Sequence, residues 1–309
     1  MDVSVIVVSY NTKDLLRECI RSIYRETREI EYEVFVVDNR STDGSPDMVK
    51  GEFPKVRLIR NDLNVGFAAG NNIALKKGRG RYFLLLNPDT QLVNNAIGIL
   101  ADYMDSHRDV GASGCMLLDG NKEVQMVCRK FSRIAHEVGE LMPVINRCRW
   151  RWMSRNYLSD EFDYRSCGET DYVQGACLMV RRVVIEEIGL MDERYFMYSE
   201  EEDWCYRMKR KGWKVMYVSS AVVVHYQGMS TRQHSSEMLV ELYRSKFQFF
   251  SKNYGIWRAR FLKIVLVTMM AFRVPYFTIV SLVRSGRREY AREYRDQSLM
   301  ILRTMLSST

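Results

Sequence analysis

The sequence contains no C-x-x-C pair, and its seven cysteines lie singly between Cys19 and Cys205. An odd, scattered set builds neither a zinc cage nor a disulfide framework, so a reducing compartment is expected. A basic start leading into a short apolar run and a small-residue cleavage site is also missing. Met1-Asp2-Val3-Ser4-Val5 runs directly into a strand pattern, the expectation for a chain that stays in the cytosol. There is no internal repeat and no low-complexity segment. With 47% hydrophobic residues, the 309-residue chain can bury one sizeable core, as one large domain or two smaller ones.

A module of interleaved aromatic and basic residues for nucleic acid is absent as well. The formal charge of +8 has another distribution: from Gln227 onward, 14 Lys/Arg stand against 5 Asp/Glu, a net of +9, and the preceding residues carry −1. A nearly neutral body, residues 1–227, and a basic tail, residues 228–309, are therefore expected. The tail would meet an anionic surface while the body does separate work.

Within the body, short β-branched runs alternate with helical periods. Strands are expected at Val3–Ser9, Tyr32–Asp38, Val56–Arg60 and Tyr82–Leu86, with a helix over Asp14–Tyr24 and another opened by Gly44-Ser45-Pro46. This rhythm predicts a mostly parallel α/β sheet with helices on both faces. Ligands of such sheets collect beyond the carboxyl ends of the strands, here Ser9-Tyr10-Asn11, Asp38-Asn39 and Asn87-Pro88-Asp89. From about Asp119 to Asp171 no period is visible, and loops with short helices are expected. A strand over Val173–Arg181, helices near Val183–Ile188 and Glu200–Lys211, and strands at Lys214–Val218 and Ala221–Tyr226 follow. Beyond Gly228 the chain reads as wholly helical.

Taken singly, the polar residues at these strand ends have two readings each. Asp38 is equally a turn former and a ligand by position alone, and Asp43 is a turn former. The segment Asn64–Asn72 has two glycines and reads as a loop that lets backbone approach a nucleotide before the next helix, or as tight packing of helix on sheet. Glu200-Glu201-Glu202-Asp203 complements a helix dipole. His225 ends a strand, a position that is usually structural.

Together the clusters say more. VSVIVVSYN, VVDNRSTDGS, NVGFAAGNN and LLLNPDT occur in that order and are followed by FMYSEEEDWCYRMKRKGW. Over roughly Val3 to Tyr226 this set resembles glycosyltransferase family 2, the inverting GT-A group, and within it the bacterial branch that includes rhamnosyltransferases of cell-surface polysaccharide assembly. The resemblance implies a Rossmann-like GT-A domain followed by a C-terminal helical extension. It implies transfer of a sugar, rhamnose in that branch, from a UDP- or dTDP-sugar to a hydroxyl of a lipid-linked or polysaccharide acceptor. Donor contacts fall to Ser9, Asn11, Asp38, Asn64, Gly66, Asn71 and Asn87, with Asp38 accepting the imide N–H of uracil or thymine.

Asn87-Pro88-Asp89 stands where the family has its Asp-x-Asp metal motif, with Asn in place of the first acid. Asp89 is then the retained ligand of Mg2+ or Mn2+, bound more weakly for the loss, and the resemblance offers His225 as a second ligand. In the acidic motif the second acid is the general base, which the register makes Glu201. Asp203 is the alternative, because the family more often has Asp as the base, and Glu200 is a supporting acid.

Two rival readings are a sugar-phosphate nucleotidylyltransferase and a non-catalytic membrane adaptor built on a decayed transferase. The first needs a Gly-rich, Arg/Lys-containing loop where this chain has Ser9-Tyr10-Asn11-Thr12. The second draws on the departures at Asn87 and Glu201.

In the tail, Ile264–Val283 is apolar but interrupted by Arg273 and Pro275. A buried arginine is costly in a bilayer. With Lys263, Arg284, Arg287, Arg288, Arg292 and Arg295 around it, an interfacial helix pair on anionic lipid at the inner face of the cytoplasmic membrane is expected. The alternative is a helical extension packed on the body or on a second copy, giving a homo-oligomer.

Overall fold

The computed structural model describes residues 1–141, 162–226, 235–283 and 288–307. Two compact units make up the chain. One is Met1–Phe131 with Arg155–Phe196 and Glu200–Ser230, and the other is Ser132–Ser154 with Met197–Ser199 and Thr231–Thr309.

The first unit is a sheet in the order β3-β2-β1-β4-β10-β6-β11-β5, with β8 beside β11. Its first half forms as the residue pattern dictates. β1 (Val3–Ser9) and β4 (Tyr82–Leu86) are buried at every position, so both faces of the sheet are covered there. β2 (Tyr32–Asp38) and β3 (Arg57–Arg60) continue the sheet, and β1 runs parallel to both β2 and β4. α1 (Lys13–Glu26) turns Leu16, Cys19, Ile20 and Ile23 inward at helical spacing. α2 (Ser45–Glu52) starts at Pro46 as expected, behind a left-handed Gly44. Asp43 joins the two helix starts: one carboxylate oxygen accepts the Lys13 N–H at 2.8 Å, the other the Ser45 N–H at 2.9 Å.

The segment read as a loop over Asn64–Asn72 is a helix from its third residue, α3 (Gly66–Leu75). Its glycines answer to packing. Gly66 has φ +83°, and a Cβ there would lie 2.3 Å from the Phe196 carbonyl oxygen. That carbonyl accepts the Phe67 N–H at 2.8 Å, taking up a free donor at the helix start. At Gly70 a Cβ would meet Val8 Cγ1 at 2.9 Å, so α3 lies directly on β1.

Three elements had no clear sequence signal: β5 (Thr90–Leu92), α4 (Ala96–Ser106) and β6 (Val110–Leu118). The stretch after β6 contains β7 (Cys128–Arg129), α5 (Ile134–Leu141), β8 (Gly168–Thr170) and β9 (Tyr172–Val173), with 142–161 outside the described residues. β10 (Cys177–Arg181) is antiparallel to both β4 and β6. α6 (Arg182–Ile188) and α7 (Glu200–Arg210) follow. The two strands expected after α7 are one, β11 (Lys214–His225), whose pairing with β6 shifts register between Val218 and Val222. That irregularity absorbs the polar pair Ser219-Ser220 without ending the strand.

In the second unit α8 (Ser235–Tyr254), α9 (Ile256–Val283) and α10 (Arg288–Ser307) pack on one another. This unit also takes in two segments that the sequence assigned to the body. α5 packs against α9, and Lys246 of α8 forms a buried 2.5 Å ion pair with Glu137 of α5. Ser245 of α8 donates to the Met197 carbonyl at 2.7 Å. Arg273 and Pro275, which interrupt the apolar run in sequence, lie inside one continuous helix, α9.

Gly66→Ala puts a Cβ into the Phe196 carbonyl and a non-glycine residue at positive φ. A loss of about 1–3 kcal/mol is expected from the backbone alone, read as a lower melting temperature, with Ala69→Ser in the same helix as the unchanged control.

Candidate active site

The carboxyl edge of the sheet gathers the polar clusters because the register aligns their strands. Ser9 pairs with Asp38, and Val7 with Leu86, so β1, β2 and β4 end side by side. After β4 the chain turns tightly: the Thr90 hydroxyl donates to the Asn87 carbonyl at 2.7 Å, returning the chain through β5. β5 pairs antiparallel with the end of β11, Thr90 opposite His225. Asp89 and His225, 136 positions apart in the numbering, are thereby brought to 3.3 Å between Oδ1 and Nε2, both nearly fully buried.

A third residue fixes the imidazole. Gln125 donates from Nε2 to the His225 carbonyl at 2.8 Å, which leaves its Oε1 to accept from His225 Nδ1 at 3.2 Å. With Nδ1 carrying that proton, the neutral ring presents the Nε2 lone pair to a carboxylate oxygen. Two acceptors face each other, an arrangement that a proton or a cation between them stabilises. Among the described residues no group of three His, Cys, Asp or Glu side chains could hold a metal alone. A pair is what a cation shared with substrate phosphates and water requires.

Glu201 reaches the same edge by another route. The Asn87 N–H donates to the Ala176 carbonyl at 3.0 Å, extending the β4–β10 ladder by one step, and the adjacent Gly175 N–H points to Glu201 Oε1 at 3.4 Å. Among the described residues Glu201 Oε2 has no hydrogen-bond partner. The two residues before the helix, Tyr198 and Ser199, have φ of +71° and +60°, a conformation uncommon for non-glycine residues. Burial lifts the Glu201 carboxyl above its ordinary 4.5, against the pull of the Gly175 N–H and the Arg129 charge. Burial, with the charge of Glu201, lifts its neighbour Glu200 further.

Asp203 is placed differently. It is 0% exposed and ion-paired with Arg207 at 3.0 Å. The Arg207 fork continues to the carbonyls of Ile188 at 2.6 Å and Leu190 at 2.8 Å, tying α7 to the end of α6.

The expected donor residues divide in the same manner. Asp38 is buried, accepts the Ser41 N–H with Oδ2 at 3.1 Å, and leaves Oδ1 without a partner among the described residues. Asn87 is partly exposed at the end of β4. The others have local partners: Ser9 with the Thr12 hydroxyl, Asn11 with the Thr42 N–H, Asn64 with the Gly66 N–H, and Asn71 with the Phe67 carbonyl. Asn71 Oδ1 stays buried and without a partner among the described residues. Cys19, which lies against Asn87 and Thr90, is no nucleophile, because burial pushes its thiol up to about 12. Gln125 carried no sequence signal. It sits in the patternless stretch, 100 positions from the histidine it orients.

A mostly parallel sheet with covered faces, polar clusters at its carboxyl edge and C-terminal helices is the GT-A architecture of glycosyltransferases. The model of the family described as Glycosyl transferase family 2 matches residues 4–189. Over 301 residues the chain is 30% identical to the N-acetylglucosaminyl-diphospho-decaprenol L-rhamnosyltransferase of Mycobacterium tuberculosis, covering 92% of this chain and 95% of that protein. It is 23% identical over 258 residues to the rhamnosyltransferase WbbL of Escherichia coli, covering 81% and 93%. In fold it is similar to the mannosyltransferase PcManGT from Pyrobaculum calidifontis, solved in complex with GDP-Man and Mn2+, with a TM-score of 0.57 at 15% identity over 99% of this chain and 86% of that one. The chain belongs to glycosyltransferase family 2. Within it the chain is rhamnosyltransferase-like, a glycosyltransferase of cell-surface glycan synthesis.

Stability separates the two acids. A carboxyl whose folded pKa is raised contributes stability that is full below its unfolded value, near 4.5, and is lost as pH rises through the folded pKa. Glu201→Gln removes that loss, so its melting temperature relative to wild type is expected to climb as pH goes from 4.5 to about 7. Asp203→Asn strands the Arg207 charge and is expected to cost about 3 kcal/mol, visible in urea unfolding.

Proposed function

We propose that the chain transfers rhamnose from a dTDP- or UDP-sugar to a hydroxyl of a lipid-diphosphate-linked saccharide, with inversion at the anomeric carbon. Glu201 removes the acceptor proton while the hydroxyl oxygen attacks that carbon. The bond to the diphosphate oxygen breaks on the opposite side, and the nucleoside diphosphate leaves. One displacement suffices, so no covalent intermediate and no nucleophilic side chain is needed. The observation that carries this reading is the partnerless Glu201 oxygen on a backbone relay from the strand end that bears Asp89.

The role of each remaining group follows from its chemistry. Asp38 Oδ1, a buried acceptor without a donor, suits the imide N–H of a pyrimidine base, since an unmet buried acceptor is costly until a ligand supplies the donor. Asp89 and His225 would hold a divalent cation, Mg2+ or Mn2+, with Gln125 orienting the imidazole. Such a cation supplies positive charge beside the diphosphate oxygens as negative charge grows on them. The rhamnosyltransferase relatives support the sugar, and the name of the mycobacterial relative supports the acceptor class. The raised Glu201 pKa also suits a base, since it makes the carboxylate a better acceptor of the hydroxyl proton.

Glu201→Gln is expected to lower transfer by roughly 10²-fold or more while leaving nucleotide affinity in calorimetry near wild type. An active variant removes Glu201 from the role. Asp89→Asn is expected to weaken donor binding in Mn2+ and to abolish the difference between Mn2+ and chelator. Gln125→Leu is expected to reduce metal affinity roughly 10–100-fold, the usual cost of a lost partner behind a ligating histidine.

A further inference from the structure

The 28-residue α9 is long and apolar, with mean hydropathy of 1.7 over its best window, yet only 28% of that window is buried. One side packs inward through Leu262, Leu266, Met270 and Phe277. The other presents Trp257, Phe261, Ile264, Phe272, Ile279 and Leu282, whose spacings of three, four, seven and eight place them on one face. Trp257 is 76% exposed and Phe272 74%. An exposed apolar stripe of this kind, with Thr268 as the polar residue between Ile264 and Phe272, marks an interaction site.

The charges of the helix avoid the stripe. Between Phe261 and Val283 the only charged residues are Lys263 and Arg273. Arg273 turns inward, its guanidinium over the rings of Phe277 and Tyr294 at 5.6 Å each. The cations stand at the two ends. Arg258 and Arg260 are exposed at the amino end, Arg260 over the Trp257 ring at 5.2 Å. Past the carboxyl end the sequence continues with Arg284, Arg287 and Arg288, and Arg288 and Arg292 are exposed.

We infer that this face of α9 docks on an anionic lipid bilayer, with the helix lying in the interface and the stripe from Trp257 to Leu282 inserted. Two observations select that occupant. α10 packs back along α9, through contacts such as Phe277 with Tyr294, and exposes Arg292, Glu293, Asp296 and Arg303. A helix sheathed by those charges cannot cross hydrocarbon and can insert only its open face. A second copy fits poorly, because the stripe is cationic at both ends, and apposing it to itself in either direction sets arginines against arginines. An anionic surface complements both ends at once. The inference stands on the helical unit alone and holds whether or not the reaction assigned above is right.

The test is flotation of the full-length chain with vesicles of phosphatidylcholine containing phosphatidylglycerol, and of phosphatidylcholine alone. Binding to the anionic vesicles is expected to fall several-fold in high salt but not below binding to the neutral ones, since salt screens the arginines and leaves insertion intact. Phe261→Asp/Phe272→Asp/Ile279→Asp is expected to lower partitioning roughly tenfold or more, whereas Val183→Asp, at an exposed apolar site elsewhere, is expected to leave it unchanged. If the triple variant does not fold, Trp257 reads the same contact: wild-type emission shifts to the blue on adding vesicles, and Trp257→Phe loses the shift. The inference is overturned if the wild-type chain fails to float with anionic vesicles at low salt. A blue shift that survives in Trp257→Phe overturns it too, as does a lipid-free dimer that Phe272→Asp makes monomeric.

Discussion

The site depends on one antiparallel pairing, that of β10 with β4. β4 delivers Asn87-Pro88-Asp89 at its end, and β10 begins there because it runs the opposite way, Cys177 opposite Leu86. One further ladder bond, from the Asn87 N–H to the Ala176 carbonyl, puts Gly175 beside Glu201, the second residue of α7. A parallel β10 would start at the other edge and carry Gly175 and its neighbour away from the strand ends. Reversing one strand in a mostly parallel sheet is therefore what lets residues near position 89 and residues near position 201 share an edge.

The polar groups at that edge fall into those that fold the chain and those left open. Ser9, Asn11, Asn64 and Asp43 close turns and helix starts, and Asp203 is consumed by Arg207. Buried polar atoms are nearly always paired, since leaving one unmet costs about 1–3 kcal/mol. Asp38 Oδ1, Asn71 Oδ1, Glu200 Oε2 and Glu201 Oε2 break that rule within one unit. Unmet acceptors are tolerable where a ligand brings donors or a cation.

The helical unit obeys a different constraint. Hydropathy sums the whole circumference of a helix, and α9 divides that circumference into a half packed on its neighbours and a half facing outward. Arg273, which along the sequence counts against any apolar environment, lies with its guanidinium over the aromatic faces of Phe277 and Tyr294 inside the unit. Pro275 leaves α9 unbroken. Length and composition therefore describe this helix poorly, and the side on which each residue lies describes it well.

By itself the sequence determined the first half of the sheet, the helix carrying the acidic run and the family, since those rest on local patterns: apolar runs of period two, stripes of period 3.6, and short motifs at strand ends. It also marked Asp38, Asp89 and Glu201 through motifs a few residues long, and His225 through the family resemblance at a strand end. Only the tertiary structure decided which acids are open and which are spent. Glu201 and Asp203 lie two positions apart on one helix, and that spacing turns the first toward Gly175 and the second into the interior against Arg207. It also decided the long-range pairs, Gln125 with His225, Phe67 with Phe196, and Asn87 with Ala176. β5, β6 and α4 escaped the reading because small residues and short length blur their periods, and pairing to neighbours, not local propensity, makes them strands and helix.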